Sequence, residues 1–358
     1  MTTEEKLKLI KEVGEEIVTE KELKDLLSKE EQLIAYDGFE PSGQMHIAQG
    51  ILRAININKL TQTGIKFKML VADWHAMANK KMDGDLEKIK TVGKYFIEVW
   101  RATGMDMDNV EFVWASDLVR DSDYWKLVLQ IATTNSINRF IRTAEIMGRQ
   151  ETENLTAAQL IYPCMQVADI FTLGAKITQL GMDQRKVNVL AREIGNQLGF
   201  WKPVVVSHHM LLGLGKPAVE TKDKTKRTIE LKMSKSNPDS AIFMTDTEED
   251  IQRKLNKAWC PEATSEENPV LEYAKYLIFG SFDKMTIVRP EKFGGDVTFD
   301  SYEDLEKAYV KKEIHPQDLK SSVASHLNDL IKPVREHFDR NPYAKELLRQ
   351  VQSFQVTR

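Results

Sequence analysis

Cysteine is scarce in this chain: Cys164 and Cys260 are the only two in 358 residues. Two thiols cannot form a disulfide framework, and nothing around them has metal-ligand spacing, so no metal site is expected. Structural thiols in a reducing, cytoplasmic setting are the reading that remains. Long apolar runs are missing too. No stretch approaches the ~18 uncharged apolar residues of a membrane-spanning helix, and no membrane partner is expected. The N-terminal "MTTEEKLKLIKEVGEEIVTEKELKDLL" is acidic and amphipathic, unlike a signal peptide. A large positive excess is also lacking: 50 Lys and Arg stand against 54 Asp and Glu, a net charge of −4. That balance argues against a protein that coats nucleic acid over its whole surface, while leaving room for a local basic face. Residues 216–235 are one such place, with seven Lys or Arg against three Asp or Glu. They read either as a solvated loop or as one that steers a polyanion. There is no internal repeat and no low-complexity tract.

What is present is a globular composition, 42% hydrophobic and 29% charged, over a length that suits two domains. Residues 4–29 read as helices with Glu/Lys pairs at helical spacing. "QLIAYDGF" reads as a strand followed by a Pro-Ser-Gly turn. "MHIAQGILRAININKLTQTG" then reads as a helix with Ile47, Ile51, Leu52, Ile55 and Leu60 on one side. Further strands are expected at "KFKMLVAD", "NVEFVWAS", "KITQLG" and "KPVVVSHHM", separated by helices such as "DLEKIKTVGKYFIEVWRATGM". Strands that alternate with long helices predict an α/β fold with a doubly wound, mainly parallel sheet. Such sheets bind ligands at the carboxyl ends of their strands, where polar clusters fall at 38–42, 73–75 and 207–209. Beyond about residue 246 the pattern turns helical, interrupted by "TIVRPEKFGGDVTF".

"LKMSKSNPDS" is the stretch least suited to a core. Lys232 and Lys235 in a loop of small hydroxylated residues can set two ammonium groups on a polyphosphate, a general way to meet developing charge. Far upstream lies "PSGQMHIAQ", with His46 and Gln49. In "LIYPCMQVADI" the residues Tyr162, Gln166 and Asp169 share one helix face, either as an ordinary polar edge or as a binding surface. His75, beside Asp73, either lines a pocket or satisfies a buried neighbour. His208 and His209 are adjacent on a strand, so their side chains point apart, and no third ligand lies at zinc spacing.

With these residues in order, the chain resembles the class I aminoacyl-tRNA synthetases, whose signatures are His-Ile-Gly-His and Lys-Met-Ser-Lys-Ser. Here they read His46-Ile47-Ala48-Gln49 and Lys232-Met233-Ser234-Lys235-Ser236. The likeness is greatest to the tyrosyl enzymes of archaeal and eukaryotic type. "YDGFEPSG", "LVADWHA", "LIYPCMQVADI", "GMDQRKVNVLARE", "RPEKFGGD" and "IHPQDLK" match that subfamily's segments in its order, over nearly the whole chain.

The resemblance implies an N-terminal helical segment at 1–30, a Rossmann-type catalytic domain at 31–245 and a helical anticodon-binding domain at 246–358, with no further RNA-binding domain appended. It implies tyrosine–tRNA ligase activity, with L-tyrosine, ATP with Mg2+, and tRNA(Tyr) as substrates. It implies a homodimer and no tightly bound cofactor. His46, at the start of its helix, would donate to ATP phosphate, with Gln49, Lys232 and Lys235 completing the catalytic set. Tyr36 and Asp169 would bind the phenolic hydroxyl. Tyr162, Gln166 and Gln184 would hold the α-ammonium, and His75 would line the same pocket. Gly38, Gly181, Asp183, Met210 and Leu211 would border ATP. Arg142, Arg185 and Lys186 would meet the tRNA acceptor end, and Phe293 and Asp318 the anticodon. Gln49 departs from the family's second histidine and Ala48 from its glycine. A tryptophanyl enzyme, a non-catalytic RNA-binding relative and a small nucleotidyltransferase are the rival readings. Tyr36 with Asp169 favours a phenol over an indole. The intact lysine motif argues against the second rival. The missing second histidine and the helical C-terminal part argue against the third.

Overall fold

The computed structural model describes residues 1–29, 31–148, 154–217, 227, 231, 233 and 238–354. Six strands form one sheet: β1 (Glu16–Val18), β2 (Ile34–Phe39), β3 (Lys66–Val71), β4 (Val110–Trp114), β5 (Ile177–Gly181) and β6 (Val204–His208). Their order is β1-β6-β5-β2-β3-β4. All neighbouring pairs are parallel except β1, which runs antiparallel on the edge of β6. This is the doubly wound, Rossmann-type sheet, with its order reversing around β2 and β5. β1 interrupts the helical reading of residues 4–29. Three residues carry too little pattern to signal a strand, and Glu16–Val18 are extended because β6 offers them an edge.

Alternation along each strand divides the side chains between two cores. Ala35, Ile177, Val204 and Val206 join a core with the Ile51–Gln62 and Leu86–Ala102 helices. Tyr36, Leu70 and Leu180 join another with the Ser122–Thr133, Ala157–Thr172 and Arg185–Ile194 helices. The Leu86–Ala102 helix starts on an Asp85 cap, which accepts from the Glu87 and Lys88 amides. It buries Ile89, Val92, Phe96, Val99 and Trp100. Phe39 meets the Trp100 ring edge-on at 4.4 Å, a contact worth about 0.5–1.5 kcal/mol beyond its buried area.

The C-terminal part is helical at Glu248–Lys257, Pro269–Tyr273, Tyr302–Val310, Pro316–Arg340 and Pro342–Ser353. "TIVRPEKFGGDVTF" forms a two-stranded hairpin of β7 (Met285–Ile287) and β8 (Val297–Phe299). The Pro342–Ser353 helix packs on the Leu86–Ala102 helix. One continuous apolar core therefore runs from the sheet into the C-terminal helices.

The helix expected from Met45 begins only at Ile51. Residues 45–47 instead run alongside residues 242–244. Met244 N–H donates to Met45 O at 2.8 Å, Ile47 N–H donates to Ile242 O at 2.9 Å, and His46 bridges Phe243 antiparallel. Gly50 lets the chain turn into the helix, since a β-carbon there would lie 2.4 Å from Met244 Sδ. The apolar periodicity runs through His46 because Ile47, buried here, falls at helical spacing from Ile51. The long-range pairing decides against helix.

Candidate active site

The site lies at the carboxyl ends of β2, β3, β5 and β6. On one face of the sheet, Tyr36 on β2 is buried, and its hydroxyl needs Gly38: a β-carbon at 38 would stand 2.8 Å from Tyr36 Oη. Asp169 is fully buried on the Ala157–Thr172 helix. It has two partners. Tyr124 donates its hydroxyl to Oδ1 at 2.8 Å, and His75 Nε2 lies 3.0 Å from Oδ2. Burial opposes the His75 imidazolium, but the Asp169 carboxylate, with Glu40 and Asp73, outweighs it and raises the His75 pKa. Burial, then the Asp169 charge, pushes the Tyr36 phenol well above its ordinary value, so Tyr36 is a neutral donor.

Tyr162 packs edge-on against the His75 ring, centroids 5.0 Å apart. Its pKa is also raised, first by burial and then by the Glu40 carboxylate, to which it is hydrogen-bonded. Gln166 Nε2 donates to Gln184 Oε1 at 3.2 Å, and Gln184 Nε2 donates to Ile146 O at 2.9 Å. The geometry thus brings Tyr162, Gln166, Asp169, His75, Tyr36 and Gln184 to one buried, polar region. Tyr124 and Glu40 belong to it too and went unnoticed in the sequence. Tyr124 sits in an amphipathic helix where its polar tip has no local signal.

On the other face, Asp37 points away from Tyr36 and is ion-paired with Arg53 of the Ile51–Gln62 helix. Burial lowers the Arg53 pKa to about 10, against the pull of Asp183, so the guanidinium stays charged. Gly181 ends β5, and a β-carbon there would meet Met210 Sδ at 2.4 Å and Asp183 Oδ1 at 2.7 Å. The glycine thus lets Met210 and Asp183 close over the strand end. His208 is held neutral, at about 3, by burial and by Arg53. Its Nδ1 lies 2.7 Å from Gln179 Nε2. His209 turns the opposite way, as alternation requires, to Glu15 and Glu272. Leu211 is buried and its carbonyl accepts from Met233 N–H at 3.2 Å.

Lys232 and Lys235 lie outside the described residues. Their described neighbours Leu231 and Met233 are tied to residues 211–213, with Gly213 N–H donating to Leu231 O at 2.8 Å. The His46–Phe243 bridge brings the upstream signature beside the stretch that follows the lysine motif. His46 is therefore placed by strand pairing rather than by a helix N-terminus, which is a correction to the helical expectation. Gln49 offers its carbonyl to Trp100 Nε1–H at 2.8 Å.

A buried tyrosine–aspartate pair across the sheet from an Arg–Asp pair, with His46 of the upstream signature bridged to Phe243 beside them, is an arrangement with relatives. Residues 28–332 match the family described as tRNA synthetases class I (W and Y). A cytoplasmic tyrosine–tRNA ligase of Arabidopsis thaliana is 49% identical over 99% of this chain and 90% of its own. The chain belongs to the tyrosine–tRNA ligase family. Among solved structures, the tyrosyl-tRNA synthetase of Leishmania major with tyrosinol is 46% identical, with a TM-score of 0.90. That match covers 99% of this chain, which spans 53% of the Leishmania chain. The enzyme of Pyrococcus horikoshii with L-tyrosine is 39% identical, also at a TM-score of 0.90, over 98% of this chain and 100% of its own.

For a tyrosine–tRNA ligase the remaining expected residues concern tRNA. Arg185 forms a two-pronged pair with Glu16, Nε to Oε2 at 2.5 Å and Nη2 to Oε1 at 2.9 Å. Lys186 Nζ donates to Arg142 O at 3.3 Å, so these two are neighbours, and Arg142 itself is exposed. Phe293 stands 61% exposed at the β7–β8 hairpin with Lys292 Nζ 4.9 Å from its ring centre. Asp318 lies in the first turn of the Pro316–Arg340 helix. Arg289, missed in the sequence, ties the two regions: Nε donates to Gly295 O at 2.6 Å and Nη1 to Glu313 O at 2.8 Å.

Proposed function

We propose that this chain activates L-tyrosine with ATP and esterifies it to the 3′-terminal adenosine of tRNA(Tyr). The observation that carries this reading is the buried Asp169, with the Tyr36 and Tyr124 phenols and His75 around it. A pocket floor that hydrogen-bonds a hydroxyl rejects the analogue lacking it, because its own polar groups are then left unpaired. Tyr36 donates to the phenolic oxygen and Asp169 accepts its proton in a hydrogen bond. Tyr162, Gln166 and Gln184 receive the α-ammonium.

In the first step a tyrosine carboxylate oxygen forms a bond to the α-phosphorus of ATP. The bond from that phosphorus to the bridging oxygen breaks, and pyrophosphate leaves with its electron pair. ATP enters as its Mg2+ complex. His46 and Gln49 meet the phosphates together with Lys232 and Lys235, while Asp183 accepts from the ribose and residues 210–211 wall the adenine. Positioning and charge relief suffice for this chemistry, without a protein nucleophile. In the second step the terminal ribose hydroxyl oxygen bonds to the acyl carbon, and the bond from that carbon to the phosphate oxygen breaks. AMP leaves with the electron pair, and the hydroxyl proton passes to solvent. Arg142, Arg185 and Lys186 face the acceptor end, Arg185 being held in place by Glu16. Phe293 stacks on an anticodon base and Asp318 accepts from a base edge.

A homodimer in the cytoplasm completes the proposal. Exposed Leu129, Ile137 and Ile161, on helices that pack on one another, are the surface that supports a second copy. No helix among the described residues is long and apolar enough to cross a membrane. ATP–pyrophosphate exchange with each amino acid in turn tests the central claim. Exchange with tyrosine alone is the expected outcome. Exchange with tryptophan and none with tyrosine overturns it.

A further inference from the structure

Residues 211–213 hold Leu231, which precedes the lysine motif, and Met233 within it. They are themselves held from the C-terminal side. Leu212 N–H donates to Glu272 Oε2 at 3.0 Å, and Tyr273 donates its hydroxyl to Leu212 O at 2.8 Å. The other oxygen of Glu272 lies 3.1 Å from His209 Nε2. His209 Nδ1 lies 3.1 Å from Glu15 Oε2, and its ring stacks on Tyr276 at 4.5 Å and 12°. One carboxylate on the C-terminal helical part thus grips the backbone beside the lysine motif, and one imidazole, clamped between two carboxylates, orients it.

We propose that Glu272, oriented by His209, is a positioning residue for the ATP side of the reaction. It fixes residues 211–213, and through them Leu231 and Met233, so that the C-terminal helical part supports the start of the motif. The inference rests on the functional reading above, in which the lysine motif serves ATP. Tyrosine binds on the opposite face of the sheet and does not depend on this junction.

His209 bridges both carboxylates only as the imidazolium, since the neutral ring has a single N–H. Around it stand Glu15 from the N-terminal segment, Glu272 and Tyr276 from the C-terminal helices, and His208 from its own strand. Lys275 acts on Glu15. Burial opposes the charge, but the two carboxylates raise the pKa to about 9. The ion pair is therefore intact at neutral pH and lost as pH rises through about 9.

The test measures KM for ATP and for tyrosine, in exchange, with the full chain from neutral pH to about pH 10. In the wild type the ATP KM rises through an inflection near 9. The tyrosine KM serves as the control at neutral pH, because the substrate's own ammonium and phenol titrate above it. Glu272→Ala raises the ATP KM about tenfold at neutral pH, with the tyrosine KM within about twofold. Glu272→Gln keeps an acceptor for Leu212 N–H and an amide donor for a neutral His209. It restores most of the loss and removes the inflection. Equal effects on both substrates, no effect of Glu272→Ala, or an inflection that survives in Glu272→Gln overturns the proposal. Should Glu272→Ala not fold, the Glu272→Gln profile decides alone. A wild type that exchanges with no amino acid refutes the functional reading. In that case hydrogen exchange of the 211–213 amides in Glu272→Gln and Glu272→Ala still reads the junction, and unchanged protection in both refutes it.

Discussion

Tyr124 donates its hydroxyl to Asp169 Oδ1 from 45 residues earlier in the chain. A fully buried carboxylate is costly unless several groups answer it, and Tyr124 and His75 are the answer in the unliganded protein. Removing the Tyr124 hydroxyl leaves Asp169 with one partner fewer and freer to turn from the substrate phenol. Tyr124→Phe is expected to raise the tyrosine KM about tenfold, as loss of a hydrogen bond to a charged group does, with the ATP KM unchanged. Exchange kinetics at varied tyrosine and fixed ATP check this. An equal change in both constants would place Tyr124 in folding rather than in the pocket.

His75 gives the pH dependence of the same pocket. Its folded pKa is raised above the ordinary 6.5, by Asp169 above all and against the effect of burial. A raised pKa contributes stability that is fully present below the unfolded value and lost as pH climbs through the folded one. Wild-type protein should therefore lose resistance to urea as pH climbs above the ordinary histidine value of 6.5. His209 contributes to the same fall, since its pKa is also raised. His75→Gln is expected to keep only the His209 share, a visibly shallower pH slope of the unfolding midpoint. A slope equal to the wild type's would remove His75 as a source.

The hairpin offers a test that separates tRNA from the small substrates. Phe293→Ala should raise the tRNA KM about tenfold, the loss of one base-stacking contact, and leave ATP–pyrophosphate exchange intact. Arg289→Ala should reproduce much of that effect without touching RNA, because Arg289 joins Gly295 O to Glu313 O and so fixes the loop that presents Phe293. Asp318→Ala should likewise lower aminoacylation and spare exchange. Loss of exchange in any of the three would mean a folding defect.

Much of this was legible in the sequence for a physical reason. Strands such as 66–71 and 204–208 are short apolar runs bounded by turns, and helices such as 86–102 carry a full apolar face. Both signals are local. Tyr162, Gln166 and Asp169 were found because helical spacing puts them on one face. What escaped depends on partners distant in sequence. β1 exists only because β6 provides an edge, and residues 45–47 are extended only because residues 242–244 pair with them. Arg53, Tyr124, Glu272 and Arg289 lie in segments whose own pattern is satisfied without them, so no local irregularity marks them. Gly38 and Gly181 were read as openings for the nucleotide. The structure gives them a nearer duty, making room for Tyr36 Oη and for Met210 with Asp183.

Gln49 is the departure in the upstream signature, and its surroundings say what restoring histidine would do. The backbone at 49 is held by Trp100 Nε1–H on its carbonyl and by its own amide on His46 O, so the side chain does not set the position. Gln49 Oε1 is buried and makes no hydrogen bond, so replacing the amide removes no contact of that oxygen. An imidazolium there would add a cation to the developing phosphate charge, where glutamine offers only a neutral donor. Gln49→His should therefore speed adenylate formation, by about three- to tenfold at neutral pH. The tyrosine KM should stay constant and Tm should move by no more than about 2 °C. Single-turnover adenylate formation over a pH series measures it. The gain should fade above about pH 7, where an ordinary imidazole loses its proton. A rate that is unchanged, or a gain that persists at high pH, would show that charge at position 49 is not what the departure gave up.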